Sequence, residues 1–163
     1  KQLGLGMMLY ADDNAEHIVM YQMAGRPAAE NDWYDQLGLM INNTNVWICP
    51  SLPSTGIAYG ANWRHVIAYP PSAGWYGLDL VLSQFSRPSN AMAISDSHNG
   101  TTGEGTAGYA AIYCPHCYGT PPYSLVNFAV SSRHNGGANV AFLDGHVTWN
   151  KTLRILSKGA DSI

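Results

Sequence analysis

The chain of 163 residues is poor in charged side chains, which make up 12% of it, and only eight residues are lysine or arginine. The formal net charge is −3, and the basic residues do not cluster along the sequence. Domains that bind nucleic acid usually carry a basic patch. The composition therefore gives no reason to expect nucleic acid or an anionic membrane surface as a partner.

Several functional motifs are also missing. No apolar run reaches the roughly 18 residues that span a bilayer, and no signal peptide is visible. No Gly-x-Ser-x-Gly nucleophile elbow occurs, and the glycine-rich segment Gly100–Gly105 lacks the Lys-Ser/Thr ending of a phosphate-binding loop. These absences give no indication of those particular sites, and the length predicts one domain over residues 1–163.

The segment Arg133–Asn150 predicts a β-hairpin. Asp144-Gly145 suits a two-residue type I′ turn, and apolar residues alternate on both sides of it. The register that follows places four large apolar side chains on one core-facing side of the sheet: Val140, Phe142, Val147 and Trp149. Asn135-Gly136-Gly137 predicts a second turn, after a strand over residues 126–132.

The rest of the chain predicts one buried helix followed by short antiparallel strands, which is an α+β pattern. Residues 1–11 are apolar around most of a helix circumference and should be largely buried. Asn31 or Asp32 can cap a helix that runs to Met40, with Trp33, Leu37 and Met40 on its inner side. Further predicted elements are a short strand at residues 46–48, a strand at residues 91–97, a flexible loop at residues 97–107 and a helix at residues 151–158.

His134 is followed after nine residues by Asp144-Gly145, within RHNGGANVAFLDGHV. This segment resembles the C-terminal signature of the prepilin-type processing-associated His-x9-Asp-Gly domain, a family of pseudopilin-like proteins. Lys1–Asn14, Cys49-Pro50-Ser51 and Tyr59-Gly60-Ala61-Asn62 resemble the family's other landmarks. Together these segments span nearly the whole chain in the right order.

The resemblance implies a pilin-like fold, in which an N-terminal helix packs on an antiparallel meander sheet with long loops. It also implies a short basic leader and an apolar membrane helix upstream of Lys1, processed by a prepilin peptidase. The protein that the resemblance implies is a structural, non-enzymatic, extracytoplasmic subunit of a type II secretion or type IV pilus-like assembly. Its membrane contact would be made only by that upstream helix, and its partners would be other pilin-like subunits and the assembly machinery. This interpretation requires that residues 1–11 pack on the sheet and that Phe142 and Trp149 share one side.

Cysteine spacing raises the possibility of a zinc site. Cys114-Pro115-His116-Cys117 is a CxxC, and Cys49 adds a third thiol, so a tetrahedral site needs one more ligand, such as His116. The alternatives are a local disulfide in the CxxC or free thiols. The resemblance implies that Cys49 pairs with a cysteine upstream of Lys1.

The signature residues offer a second set of metal ligands. Two imidazoles and a carboxylate, from His134, Asp144 and His146, suit zinc. We favour a structural role instead, in which Asp144 and Gly145 form the turn and Asp144 bonds Arg133 or His134. No cofactor is therefore expected.

Calcium is a further option, because three oxygen-bearing side chains lie in one predicted loop: Asp96, Asn99 and Glu104. Five aromatic residues also fall in loop-like segments: Trp63, Trp75, Tyr76, Tyr118 and Tyr123. We expect these aromatics to pack under the loops. The alternative function is an extracellular zinc- or glycan-binding module, in which they would form a sugar platform.

Overall fold

The computed structural model describes residues 1–23, 27, 30–52, 56–72, 77–99, 107–113 and 129–152. Within these ranges the chain forms two α-helices and six short strands, so the mixed α+β character is confirmed. The helices are α1 (Gln2–Asp13) and α2 (Trp33–Met40), and the strands are β1 (Tyr59–Asn62), β2 (Met92–His98), β3 (Ala111–Ile112), β4 (Ala129–Val130), β5 (Gly137–Phe142) and β6 (Val147–Lys151). None of the described helices has the length and apolar character needed to span a bilayer.

The strands form one sheet in the order β3-β1-β2-β5-β6, and β4 pairs with the end of β2. The predicted antiparallel meander is wrong in one respect, because β1 and β3 run parallel while the other pairs are antiparallel. A parallel pair needs a crossover of about a dozen residues or more. The chain between Asn62 and Ala111 supplies such a crossover, and it includes β2.

Helix α1 packs on the sheet, as the pilin-like interpretation requires. Leu3 and Met7 are buried in a cluster that includes Ile94 of β2 and Leu143, the residue after β5. The backbones approach closely here, because a Cβ on Gly4 would lie 2.9 Å from the carbonyl oxygen of Gly145. Residues 1–11 are therefore part of the core packing.

The other side of α1 is open. Leu5 is 59% exposed and Leu9 is 44% exposed, so the expectation that the helix is buried around most of its circumference is wrong. A helix that lies on a sheet surface buries one stripe of side chains. The four-residue spacing of Leu5 and Leu9 puts both on the same open side.

Helix α2 begins where the capping pattern predicts. The Asp35 carboxylate accepts a hydrogen bond from the backbone N–H of Asp32 at 3.2 Å, which is half of a capping box. Trp33 and Leu37 are fully buried on its inner side. Met40, predicted beside them, is only half-buried.

The predicted strand at residues 46–48 is wrong, because Thr44–Trp47 is a 3₁₀ helix. The Asn43 side chain accepts a hydrogen bond from the backbone N–H of Asn45 at 3.0 Å. Asparagine before a helix commonly supplies such a cap. The local turn chemistry therefore outweighs the strand preference of the apolar residues that follow.

The hairpin of β5 and β6 exists, but its register differs by one residue from the predicted one. Asn139 pairs with Trp149, and Ala141 pairs with Val147. The Gly145 N–H donates to the Phe142 carbonyl at 2.9 Å, and the φ angle of Gly145 is +83°. These features define a three-residue loop that ends in a left-handed glycine, instead of the expected two-residue turn.

The changed register turns side chains to different faces, because successive strand residues point to opposite sides. Val140 and Phe142 lie in one cluster with Met92. Ala141 belongs to the cluster on the α1 side, and Trp149, opposite Asn139, faces that side too. The prediction that Phe142 and Trp149 share one side is therefore wrong.

The second predicted turn, at Asn135-Gly136, is confirmed. Both residues have positive φ angles, +56° and +76°, and His134 and Gly137 exchange two backbone hydrogen bonds of 3.2 Å. This is the type I′ geometry that the sequence predicted at Asp144-Gly145. Most of the predicted loop at residues 97–107 and of the helix at residues 151–158 lies outside the described residues, as does the start of the predicted strand at residues 126–132.

Candidate functional site

A buried carboxylate forms the centre of the site. Asp96 lies within β2 and is fully buried. Nη2 of Arg133 donates to its Oδ1 at 2.7 Å, and the arginine side chain is almost as deeply buried. Pairing is the usual condition for a charge to be buried, because an isolated ion would cost several kcal/mol to remove from water.

The guanidinium of Arg133 connects several distant segments. Nη1 donates to the Ser97 carbonyl at 2.8 Å, and Nη2 donates to the Ala58 carbonyl at 2.7 Å. Nε donates to Sγ of Cys49 at 3.3 Å. The rigid, forked donor set of arginine suits such a junction. One side chain therefore holds β2, the residue before β1 and the loop after the 3₁₀ helix together.

The second oxygen of Asp96 is also satisfied. Its Oδ2 accepts the backbone N–H of Asn139 at 2.7 Å and the Asn139 side-chain amide at 3.1 Å. Nε2 of His134 lies 3.5 Å from the same oxygen. The carboxylate is thus fixed in orientation from both sides, by Arg133 on one oxygen and Asn139 on the other.

Cys49 contributes a free and buried thiol to this cluster. Its Sγ lies 3.5 Å from Nε2 of His134. One ligand atom from each of Cys49, Asp96 and His134 lies within 4.8 Å of the other two. A soft sulfur, an imidazole nitrogen and a carboxylate oxygen therefore converge on one point.

Tyr59 stands beside the cluster, opposite Asp96 in the sheet register. Burial raises the pKa of its phenol, and the negative charges of Asp96 and Cys49 raise it further, while Arg133 opposes them. The phenol is thus neutral at neutral pH. It adds a polar, uncharged wall to the site.

The tip of the hairpin holds a separate pair. Nδ1 of His146 lies 2.5 Å from Oδ1 of Asp144, and the His146 backbone N–H donates to the same oxygen at 3.1 Å. Burial alone would raise the pKa of Asp144, but these contacts with His146 outweigh it and lower the pKa. The imidazole also stacks on Phe142, with ring centroids 4.3 Å apart. This pair stabilises the turn locally.

The structure does not bring His134, Asp144 and His146 together. His134 precedes β5 and the other two follow it, so the six-residue strand separates them by about 20 Å. The expected bond from Asp144 to Arg133 or His134 is also wrong, because Arg133 pairs with Asp96. A zinc site made of all three signature residues is therefore excluded.

Two other ligand sets were predicted, one for calcium and one for zinc at the CxxC. The calcium set is wrong at Asp96, which lies in a buried strand and is paired by Arg133, and its third member, Glu104, lies outside the described residues. Cys114, His116 and Cys117 also lie outside them. Zinc at the CxxC with Cys49 stays a prediction.

The aromatic prediction can be followed at Trp63. This residue is buried and stands 6.3 Å from Tyr21 and 4.7 Å from Tyr113, measured between ring centroids. The expectation that Trp63 packs under loops is confirmed. The other four aromatic residues of that set lie outside the described residues.

Sequence reasoning missed the centre of the site. The sequence patterns give Asp96 a role only as a possible calcium ligand, and they do not indicate Asn139 as its partner. One indication was present, because Asp96 is the only charged residue in the predicted strand at residues 91–97. A carboxylate inside a buried strand needs a cationic partner. Arg133, next to the signature residue His134, could supply that charge.

Comparison with protein-family models, with curated proteins and with solved structures finds no match. Membership of the His-x9-Asp-Gly family therefore remains a prediction from the segments that carry the resemblance.

Proposed function

We propose that this chain is the head domain of a pilin-like, non-catalytic structural subunit of a type II secretion or type IV pilus-like assembly. A helix upstream of Lys1 would anchor it to the cytoplasmic membrane, with the head on the outer side. The observation that carries the proposal is the arrangement of α1. This helix packs on the sheet by one stripe of side chains, and it leaves a second apolar stripe exposed.

The exposed stripe is suited to contacts between subunits. Leu5 and Leu9 lie one helical turn apart on α1, and they are 59% and 44% exposed. A helix that is apolar on two sides is normally buried on two sides. In a pilin-like assembly the second side would be buried against the helices of neighbouring subunits.

The signature residues also fit a structural role. Arg133 is committed to contacts with Asp96, Cys49 and two carbonyl groups, all within the fold. Asp144 is committed to the turn and to His146. Groups that are used in this way hold the shape of a head domain, on which the spacing of an assembly depends.

Two features depart from the pilin-like expectation. The sheet is mixed, and Phe142 and Trp149 lie on opposite sides of it, so one of the two conditions set for the interpretation is not met. The contact between helix and sheet does not depend on that register, because Ala141 and Leu143 make it. The proposal therefore rests on α1 and on the family resemblance alone.

Photo-crosslinking in cells tests the proposal. The full gene product would carry a photo-crosslinking amino acid at Leu5 or Leu9, and a matched control would carry it at Leu39 of α2, which is also 59% exposed. We expect crosslinks to other pilin-like subunits from Leu5 and Leu9 and none from Leu39. Equal crosslinking from all three positions, or none from Leu5 and Leu9, would contradict the proposal.

The gene sequence upstream of Lys1 gives an independent test. We expect a short basic leader followed by an apolar helix that continues into α1. An upstream soluble domain without such a helix would contradict the membrane-anchored subunit.

A further inference from the structure

We propose that Cys49, Asp96 and His134 bind a transition-metal ion of the zinc type. This inference does not depend on the pilin-like proposal, because it uses only the geometry around Asp96. Sγ of Cys49 and Nε2 of His134 are 3.5 Å apart, and Nε2 is 3.5 Å from Oδ2 of Asp96. All three ligand atoms lie within 4.8 Å of one another.

The two separations measured from Nε2 of His134 suit a shared tetrahedral ion. Zinc bonds of about 2.3 Å to sulfur and about 2.0 Å to nitrogen or oxygen place sulfur and nitrogen about 3.5 Å apart. They place nitrogen and oxygen about 3.3 Å apart. A separation of 3.5 Å is long for a hydrogen bond between imidazole and carboxylate. This separation is close to the distance between two ligand atoms of a tetrahedral zinc ion.

The surroundings of the carboxylate orient it for this role. Arg133 holds Oδ1, and Asn139 donates to Oδ2, the oxygen that lies 3.5 Å from Nε2 of His134. Metal-binding carboxylates and histidines are usually positioned by such hydrogen-bonding partners. The Arg133 Nε–H also points at Cys49, where it can donate to a thiolate.

The charge of Arg133 restricts which ion can bind. A thiolate and the Asp96 carboxylate supply two negative charges, and the guanidinium supplies one positive charge. Calcium and magnesium depend on six or more oxygen ligands, and the cluster offers one carboxylate beside a cation. A thiolate and an imidazole select zinc, or a similar ion, through their own bonding preference.

The site has a route to solvent and an incomplete ligand shell. Cys49 and Asp96 are buried, whereas the His134 side chain is 27% exposed. An ion would therefore enter past His134. Three protein ligands leave the fourth position for water or another small ligand. The ion would connect the loop at Cys49, strand β2 and the turn before β5.

Cobalt and zinc binding to the full 163-residue chain test the site. The variants are Cys49→Ser and His134→Gln, and the matched control is the double variant Cys114→Ser/Cys117→Ser. We expect the wild type and the control to bind one cobalt ion with a sulfur-to-cobalt charge-transfer band. The affinity should fall about 100-fold or more in Cys49→Ser and His134→Gln, since even residues outside the ligand shell change metal affinity 10–100-fold.

The variants separate this site from the cysteine-rich alternative. Zinc held by Cys49 with the CxxC would be lost in the control and kept in His134→Gln, and that result would overturn the proposal. A wild-type chain that binds neither cobalt nor zinc would also overturn it. A far-ultraviolet circular dichroism spectrum like that of the wild type shows that each variant is folded.

Thermal unfolding provides a second readout. Zinc at about 100 times the Kd should raise the Tm of the wild type and of the control by roughly 5–10 °C. No such rise is expected for Cys49→Ser or His134→Gln. An equal rise in all four proteins would mean that the ion binds elsewhere.

Discussion

The His-x9-Asp-Gly motif spans β5, and the residues at its two ends make different kinds of contact. At the His134 end, Arg133 and the buried Asp96 join segments that lie 37 residues apart in the sequence. At the other end, Asp144 and His146 are two residues apart and contact each other at the exposed tip. A fixed spacing along a strand sets the separation of two residues. It does not make them partners.

Because the two pairs differ in burial, we expect them to differ in what they contribute to the free energy of unfolding. Removing one partner from a buried ion pair leaves an uncompensated charge, which typically costs about 3–5 kcal/mol. An exposed pair contributes about 0–1 kcal/mol, because water and salt screen it. The His134 end should therefore dominate the stability of the head, and the hairpin tip should contribute little.

The largest expected effect comes from Arg133→Met. This change leaves Asp96 buried without its cation, so we expect a loss of about 3–5 kcal/mol in the free energy of unfolding. Urea unfolding at neutral pH measures it. The control is Arg87→Met at an exposed position, which should change stability by less than about 0.5 kcal/mol. Similar losses in both variants would contradict the comparison.

The glycines of the two turns should give an intermediate effect. Gly136 and Gly145 have φ angles of +76° and +83°, so alanine at either position should cost about 1–2 kcal/mol. Gly145→Ala should cost more, because its Cβ would lie 3.0 Å from Cγ of Met8, whereas Gly136 faces open space.

The control for the glycine variants is Gly38→Ala. This glycine lies inside α2 with nothing near its added Cβ, so alanine should stabilise the protein by about 0.5–1 kcal/mol. Thermal unfolding of the three variants gives the comparison. Equal losses at Gly136 and Gly145 would show that α1 does not pack against the hairpin tip.

The smallest effect is expected from Asp144→Asn. Asparagine keeps the turn but removes the charge that faces His146, so the loss should stay below about 1 kcal/mol at this exposed pair. The folded pKa of Asp144 is lowered, so its contribution is present above the ordinary value of about 3.9. It is lost as the pH falls through the lowered folded pKa. NMR titration of Asp144 checks the direction, and a raised pKa would contradict it.

Local patterns predicted where α1 and α2 lie, although α1 is less buried than expected. The Asp32 cap, the inner side of α2 and the packing of α1 follow from side chains close in sequence. The strand at residues 91–97 followed from its apolar run. Asn43 changed the outcome at Thr44–Trp47, because one side-chain bond started a 3₁₀ helix where a strand was expected.

Turn type was harder to predict than turn position. Asp-Gly and Asn-Gly both allow the type I′ turn, and the chain uses it at Asn135-Gly136 and a longer loop at Asp144-Gly145. That difference of one residue moved Trp149 to the α1 side of the sheet. The site depends on contacts among Cys49, Asp96 and Arg133. These residues are far apart in the sequence, so local patterns do not predict that they pair.

Two double-mutant cycles test the central claim most directly. One cycle combines Arg133→Met with Asp96→Asn, and the other combines Asp144→Asn with His146→Gln, each followed by urea unfolding. We expect a coupling free energy of about 2–3 kcal/mol for the first pair and below about 0.5 kcal/mol for the second. Equal coupling in the two cycles, or stronger coupling at the hairpin tip, would contradict the account.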